Sequence, residues 1–183
     1  MVKSFNNMVP AVDSSAFIAD TAVIIGDVHI GSHSSIWYNV VIRGDVNSIR
    51  IGNKTNIQDL SLLHVTGEKG QHSHGFPLFV GDNVTVGHNV TLHGCTVASN
   101  AFIGMNAVIM DGVVVGEGAM VAAGSLVPEM TVIPPWTLWM GSPAKLKRSL
   151  SSEEKIRTIE LAESYVNLSK VYIKDGSIMQ TGA

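Results

Sequence analysis

A six-residue repeat of aliphatic side chains constrains the fold of this chain more than any other feature. In the stretch from Val80 to Cys95, which reads V-G-D-N-V-T, V-G-H-N-V-T, L-H-G-C, a branched aliphatic residue leads each hexad and small or aliphatic residues follow it. A fixed short period of this kind is typical of a parallel β-helix, in which three hexads form one triangular coil. One coil alone buries almost nothing, so the fold requires several stacked coils that share an apolar interior.

The repeat extends over most of the chain. The leading aliphatic residues recur every six positions within four runs, which are Ile18, Ile24, Ile30, Ile36, Ile42; Ile51, Ile57, Leu63; Val80, Val86, Leu92; and Val97, Ile103, Ile109, Val115, Val121, Val127, Ile133. The sequence therefore predicts a mainly β protein, with a β-helix domain over residues 1–148 that includes an N-terminal cap and a loop over residues 65–79. The repeat is expected to close through Pro134-Pro135-Trp136 and Gly141-Ser142-Pro143, because proline cannot donate to a further strand.

A helix is expected after the β-helix, over residues 149–176. Ser151 and Glu154 form the S-x-x-E pattern of a capping box. Apolar residues then follow at helical spacing, so one stripe of the helix should pack on the β-helix. The members of this stripe are Ile156, Ile159, Ala162, Val166 and Ile173. Residues 177–183 are expected to form a frayed tail.

The interruptions of the repeat indicate which hexads share a face of the triangular prism. We name the face of the hexads led by Ile42, Leu63 and Leu92 face A, the face of Ile51 and Val80 face B, and the face of Ile57 and Val86 face C. Residues at one hexad position on successive coils of a face form a column. This assignment places Arg43, His64 and His93 in one outward column of face A, and Asp59 and His88 in a column of face C.

The two histidines of the face A column are candidate metal ligands. Neighbouring strands lie about 4.8 Å apart, and zinc–nitrogen bonds are about 2.1 Å long, so His64 and His93 can converge on one ion. His88 is separated from His93 by an outward corner and is better placed to join them from a neighbouring subunit. If face C of one prism packs on face A of the next, closure gives a threefold ring with three identical sites.

Five groups of residues carry a resemblance to a known family over nearly the full length. They are Arg43-Gly44-Asp45, Asn56-Ile57-Gln58-Asp59, His64, Gly87-His88 with His93-Gly94-Cys95, and Gly141-Ser142-Pro143-Ala144. With them the chain resembles the gamma-class carbonic anhydrases, and in particular their small bacterial relatives, the group that contains the phenylacetate-degradation and carnitine-operon hexapeptide proteins. The resemblance implies a left-handed parallel β-helix with a C-terminal α-helix, assembled as a homotrimer.

The same resemblance implies roles for individual residues. His64 and His93 of one subunit and His88 of the next are the implied metal ligands, with Zn(II) as the expected ion and Fe(II) or Co(II) as alternatives. Arg43 and Asp45 are expected to hold the trimer together and to border the active site. The glutamine and aspartate matched by Gln58 and Asp59 orient the metal-bound water and neighbouring groups. Apart from the resemblance, the position of Tyr165 on the predicted helix makes it a candidate to approach the neighbouring active site.

The chain departs from the archetypal enzyme of that family in its acidic residues. Val46 stands where the archetype has a glutamate directly after the matched aspartate, and Glu68 is the only acid in the loop over residues 65–79. His72 and His74 of this loop are candidates for a proton relay, because an imidazole with a pKa near 6.5 exchanges protons at neutral pH. A solvated loop without a catalytic role is the alternative.

Three hypotheses about function follow. The first is reversible CO2 hydration by a metal-bound hydroxide at the trimer interfaces, with slow turnover. The second is hydrolysis of a thioester, or other acyl-handling chemistry, at the same metal. The third is a non-catalytic, metal-stabilised structural trimer. The expected small-molecule partner is accordingly CO2 or bicarbonate, or a thioester.

The composition and the hydropathy pattern argue against nucleic-acid binding, an internal disulfide framework and a membrane span. The net charge of -3 and the pI near 6.1 argue against binding to nucleic acid. The single cysteine, Cys95, excludes an internal disulfide framework and is expected to be a packing residue. The sequence contains neither an apolar signal region at the N-terminus nor an apolar run long enough to span a membrane, which predicts a cytoplasmic protein.

Overall fold

The computed structural model describes residues 1–68 and 74–176 of the chain. Over these residues the backbone forms short strands followed by one helix. The first strands are β1 (Val2–Lys3), β2 (Ala11–Val12), β3 (Phe17–Ile18), β4 (Val23–Ile30), β5 (Ser35–Ile36), β6 (Val41–Ile51), β7 (Asn56–Ile57), β8 (Leu62–His64), β9 (Leu78–Val80) and β10 (Thr85–Val86). The later strands are β11 (Thr91–His93), β12 (Thr96–Val97), β13 (Phe102–Ile103), β14 (Val108–Ile109), β15 (Val114–Val115), β16 (Met120–Val121), β17 (Leu126–Val127), β18 (Val132–Ile133), β19 (Thr137–Gly141) and β20 (Ala144–Ser149). The helix is α1 (Ser152–Lys174).

The strands form the three faces of a parallel β-helix, which confirms the predicted fold class. Face A runs from the start of β6 through β8, β11 and β14 to β17, and face B runs from the end of β6 through β9, β12 and β15 to β18. Face C runs from β3 through β5, β7, β10, β13 and β16 to β19. On face A, Arg43 lies opposite His64, which lies opposite His93, as the repeat predicts.

The leading aliphatic residue of each hexad points into the prism. Ile24, Ile57, Leu92 and Val121 are examples, and each is completely buried. Burial of one such side chain stabilises a fold by about 1.5–3 kcal/mol, and stacking multiplies this gain along the coil. Repeated asparagines occupy left-handed corners of the coil, as at Asn89, where φ is 56°, because asparagine tolerates this conformation better than most residues.

Both ends of the prism are covered by additional strands. At the N-terminal end, β1 and β2 pair with β4, as expected for a cap. At the C-terminal end, Leu138 and Trp139 of β19 pair with Met120 and Val121, and Trp139 packs against the end of the apolar core. Strand β19 ends at Gly141 and β20 then returns antiparallel, so the parallel stack ends within the segment from Pro134 to Pro143 where the repeat was expected to close.

Helix α1 begins with the predicted capping box. The side chain of Ser151 accepts a hydrogen bond from the Glu154 amide, and the Glu154 side chain accepts one from the Ser151 amide. The helix packs on the face C strands β3, β5, β7 and β10.

The predicted apolar stripe of α1 is correct in its middle and wrong at its start. Ala162 and Val166 are buried together with the small polar residues Thr158 and Ser169, whereas Ile156 and Ile159 are 57% and 46% exposed. Small side chains let the helix approach the flat sheet closely, which turns the larger isoleucines outward. No helix in the described part of the chain is long and apolar enough to cross a membrane.

The insertion after β8 is shorter than predicted. Strand β9 begins at Leu78, which is completely buried, so residues 78 and 79 belong to the coil. Thr66 and Phe76 pair as an antiparallel bridge across the base of the insertion. The Asn47 side chain donates hydrogen bonds to the carbonyl oxygens of Thr66 and His74. The predicted frayed tail over residues 177–183 lies outside the described residues.

Candidate metal centre

His64 and His93 face each other on adjacent strands of face A. Their side chains stand outward on β8 and β11, since Leu63 and Leu92 beside them point into the core. Nδ1 of His64 lies 3.0 Å from Nε2 of His93. The repeat therefore brings two imidazole nitrogens to one point.

A carboxylate lies beside the other ring nitrogen of each histidine. Oδ1 of Asp45 is 3.1 Å from Nε2 of His64, and Oδ1 of Asp111 is 2.6 Å from Nδ1 of His93. Contacts of this kind orient metal-binding histidines and select their tautomer. The four side chains form one series of contacts, with the two imidazoles in the middle and a carboxylate at each end.

The number of ring protons determines what can lie between the two imidazoles. Three contacts in series need three protons, and two neutral imidazoles carry two. If each carboxylate accepts a hydrogen bond from the N–H of its histidine, Nδ1 of His64 and Nε2 of His93 are both unprotonated, and their lone pairs face each other. The central contact then requires either an extra proton or a cation.

The geometry of the pair fits a divalent metal ion. Two nitrogen ligands at about 2.1 Å from a tetrahedral zinc lie about 3.4 Å apart. The two nitrogens are 3.0 Å apart, so a small rotation of either ring would open the space. Within residues 1–68 and 74–176, no three histidine, cysteine, aspartate or glutamate side chains come close enough to hold an ion together.

Electrostatics favour the neutral form of His64. Burial lowers the pKa of His64, the hydrogen bond to Asp45 opposes this, and the positive charge of Arg43 lowers it further. Burial acts to raise the pKa of Asp45, but the hydrogen bonds from Arg43 and His64 outweigh it and hold that pKa below its ordinary value. Neutral imidazole beside an ionised carboxylate is the state that binds metal.

Arg43 and Asp45 pair within one chain. A nitrogen of the Arg43 guanidinium donates to Oδ2 of Asp45 over 2.6 Å, while Oδ1 of Asp45 faces His64. The two residues therefore pair within one subunit, and their role in holding the trimer together stays a prediction. The Arg43 side chain remains 42% exposed.

Face C carries the other predicted residues. Nδ1 of His88 lies 2.8 Å from Oδ2 of Asp59, which leaves Nε2 of His88 as the nitrogen that can bind an ion. The buried Gln58 side chain donates to the Asn56 side chain over 3.1 Å. Tyr165 packs edge-on against Trp37, with ring centroids 5.6 Å apart, and burial together with the charge of Asp59 raises its pKa. The structure thus brings Asp59, His88 and Tyr165 to one face, away from the pair on face A.

Comparison with known proteins identifies the family. The family model described as dynactin subunit 5 matches residues 10–173. A carbonic anhydrase of Geobacillus kaustophilus is 47% identical over 173 residues, which are 94% of this chain and 91% of that protein. The chain belongs to the gamma-class carbonic anhydrase family.

A plant relative and a solved structure are also similar to this chain. The mitochondrial gamma carbonic anhydrase 2 of Arabidopsis thaliana is 49% identical over 168 residues, covering 92% of this chain. The chain spans 60–65% of the length of the three plant relatives that it matches. The crystal structure of a hexapeptide transferase family protein from Anaplasma phagocytophilum superposes with a TM-score of 0.87 at 43% identity, covering 94% of this chain and 98% of that one.

The structure describes two residues that bear on the predicted proton relay. Val46 is 55% exposed next to Asp45 and offers no group that can exchange a proton. The side chain of His74 is exposed, and His72 lies outside the described residues. Cys95 is buried, which raises the pKa of its thiol. It is therefore a packing residue, as predicted.

Asp111 is the residue that sequence reasoning missed. The column rule compares equal hexad positions and so pairs the two histidines, whereas Asp111 follows its leading residue Ile109 by two positions and His93 follows Leu92 by one. The sequence contains one signal for it, because Asp111 stands at the corner position that Gly94 occupies on the preceding coil.

Proposed function

We propose that this protein is a metal-dependent carbonic anhydrase of the gamma class that interconverts CO2 and bicarbonate at the interfaces of a homotrimer. The observation that supports this most directly is the pair of imidazole nitrogens 3.0 Å apart between two carboxylates. Such a pair can hold a cation in place of a proton. The sequence identity of 47–49% to proteins named carbonic anhydrase supports CO2 and bicarbonate as the substrates.

In this proposal His64 and His93 of one subunit and His88 of the next hold the ion, with Zn(II) expected and Fe(II) or Co(II) as alternatives. A divalent ion in such a site supplies a water whose pKa is lowered to about 7, and hence a nucleophile at neutral pH. Asp45 and Asp111 orient the ring nitrogens of the two histidines on face A, and Asp59 does the same for His88.

Other residues position the reactants. Arg43 fixes the Asp45 carboxylate and keeps an exposed charge that can attract bicarbonate. Gln58 is held by Asn56, and its oxygen remains as an acceptor towards bound water. Tyr165 packs on Trp37, and the charge of Asp59 contributes to its raised pKa, so it is a candidate to approach the active site at the neighbouring subunit.

The trimer is proposed from the apolar surface around both half-sites. Leu60 follows Asp59 directly and is 59% exposed, and Leu62 stands outward beside His64 and is 40% exposed. Met105 lies on the coil next to His88 and is 50% exposed. Exposed apolar residues that cluster in this way mark interfaces, and contact of face A with face C would bury them while completing the metal site.

Two other functions have specific support. The transferase description of the Anaplasma neighbour favours acyl chemistry, and a thioester hydrolase would use the same metal centre, since Cys95 is buried. The dynactin subunit 5 description of the family model favours a structural trimer without catalysis.

One preparation can separate the three functions. Metal-free protein is reconstituted with Zn(II), Fe(II) or Co(II), and the ion content, the molar mass in solution, CO2 hydration and thioester hydrolysis are measured on the same sample. We expect a trimer with about one ion per subunit and CO2 hydration that disappears in His93→Ala. A metal-loaded trimer without hydration would reject the anhydrase function, and thioester hydrolysis in that sample would then decide between the remaining two.

The exposed His29 of face B offers a matched control for these measurements. His29→Ala removes an imidazole that lies outside both columns, so ion content and hydration should stay at the wild-type level. Loss of ion in this variant as well as in His93→Ala would show that the loss in His93→Ala is not specific to the pair on face A.

A further inference from the structure

Asp111 makes two contacts that join separate parts of the site. Its Oδ1 lies 2.6 Å from Nδ1 of His93, and its Oδ2 accepts a hydrogen bond from the Thr66 hydroxyl over 2.7 Å. Thr66 is the second residue after His64 and opens the insertion that follows β8. One carboxylate thus contacts a candidate ligand and the base of the insertion.

Gly94 makes the first contact possible. Asp111 lies one coil further along than Gly94, whose carbonyl accepts from the Gly112 amide. A methyl group on Gly94 would collide with Oδ1 of Asp111 and lie 2.6 Å from Cβ of Phe76. The absence of a side chain at Gly94 opens the passage through which the carboxylate reaches His93.

The second contact is held in place by backbone pairing. Thr66 and Phe76 exchange backbone hydrogen bonds of 3.1 and 2.8 Å, and Asn47 binds the Thr66 carbonyl. The hydroxyl of Thr66 is therefore fixed by the backbone around it, and its donation to Oδ2 sets the rotation of the Asp111 carboxylate. The side chain of Asp111 is 18% exposed, which limits competition from water.

We infer that Asp111 is a positioning residue for His93: it holds the proton at Nδ1, turns Nε2 towards His64, and is itself oriented by Thr66. This inference rests on the proposed function for its metal-binding consequence, while the tautomer of His93 is a property of the metal-free protein. A carboxylate in this position makes the imidazole a better metal ligand, and losing such a partner costs about 10–100-fold in metal affinity.

The test compares three substitutions in the full-length protein. Asp111→Asn keeps the size of the side chain and removes its charge, Thr66→Val removes the hydroxyl, and Asp82→Asn is the matched control. Asp82 also follows its leading aliphatic residue by two positions, but it accepts hydrogen bonds from Asn53 instead of a histidine. Zn(II) affinity is measured by competition with a chromophoric chelator, and the Co(II) absorption spectrum reports the ligand geometry.

We expect Zn(II) affinity about 10–100-fold weaker in Asp111→Asn, with an altered Co(II) spectrum. Thr66→Val should show a smaller loss in the same direction, and Asp82→Asn should match the wild type. Wild-type affinity and spectrum in Asp111→Asn would overturn the inference.

A second measurement decides the inference even if the wild-type protein binds no ion. Imidazole nitrogen NMR of the metal-free protein reports which nitrogen of His93 carries the proton. We expect the proton at Nδ1 in the wild type and a shift towards Nε2 in Asp111→Ala. An unchanged tautomer in Asp111→Ala would overturn the positioning role, whereas failure of the wild type to bind Zn(II) or Co(II) would reject the proposed function alone.

Discussion

Nδ1 of His64 and Nε2 of His93 lie 3.0 Å apart on neighbouring strands, and each imidazole has a carboxylate at its other nitrogen. The arrangement leaves one position between the rings for a proton or a cation. The same strand pairing that stabilises the β-helix therefore also determines the spacing of the candidate ligands, since successive coils stack at the spacing of a β-ladder.

Subunit complementation tests whether the site is shared between subunits. His64→Ala and His88→Ala each remove one candidate ligand from every site of a homotrimer, so both variants should bind little Zn(II). Mixing the two under conditions of subunit exchange should restore some ion content, because some interfaces then combine an intact face A with an intact face C. Absence of recovery despite exchange, followed by mass spectrometry of differently tagged chains, would contradict the assignment.

Acid should destabilise the metal-free protein through His64. The folded-state pKa of His64 lies below its ordinary value near 6.5, so the unfolded chain binds more protons as the pH falls below about 6.5. The free energy of unfolding should therefore decline from pH 7 towards pH 5, and this decline should be smaller in His64→Gln. Asp45, whose pKa is also lowered, adds a further loss only below about pH 4.

Urea unfolding at a series of pH values, at one protein concentration, measures this effect. His29→Gln is the control, because His29 is exposed and makes no contact with the pair on face A. A pH dependence of the same size in His64→Gln and in the wild type would contradict the prediction.

Gly94→Ala should destabilise the fold more than Gly124→Ala. Both glycines have positive φ, 50° and 69°, and alanine in this region costs about 1–2 kcal/mol. A methyl group at Gly94 also collides with Asp111 and Phe76, whereas no atom of the described residues lies within 4 Å of a methyl group at Gly124. Urea unfolding of the two variants isolates the steric contribution, and equal losses would show that the passage at Gly94 can widen.

If CO2 hydration is confirmed, turnover should depend on small buffers in every variant that lacks a side chain able to relay the proton. Regenerating the nucleophile requires a proton to leave the site, and Val46 cannot carry one. If His72 or His74 acts as the relay, the double variant His72→Ala, His74→Ala should become dependent on imidazole buffer while the wild type is not. If neither does, the wild type itself should accelerate as imidazole is added at constant ionic strength.

Stopped-flow hydration at several imidazole concentrations distinguishes these two cases. Glu68→Gln is the comparison for the remaining acid of the insertion. A wild-type rate that is fast and independent of buffer, and unchanged in all of these variants, would show that the proton leaves by a route outside the insertion.

The hexad period by itself determined the β-helix, the membership of its faces and the column that joins Arg43, His64 and His93. These follow from sequence because inward and outward positions alternate along each short strand, and counting residues between leading aliphatics counts faces. The capping box at Ser151 was equally predictable, since its hydrogen bonds join residues three apart.

Only the tertiary structure decided contacts that cross between columns or between elements. Asp111 reaches His93 because Gly94 leaves space between two coils, and no rule based on equal positions anticipates a side chain that crosses. Ile156 and Ile159 point outward because a flat sheet admits the small side chains of α1 at close range. Periodicity is a local property that the sequence carries directly, whereas the space available to a side chain depends on neighbours that come together only in the folded chain.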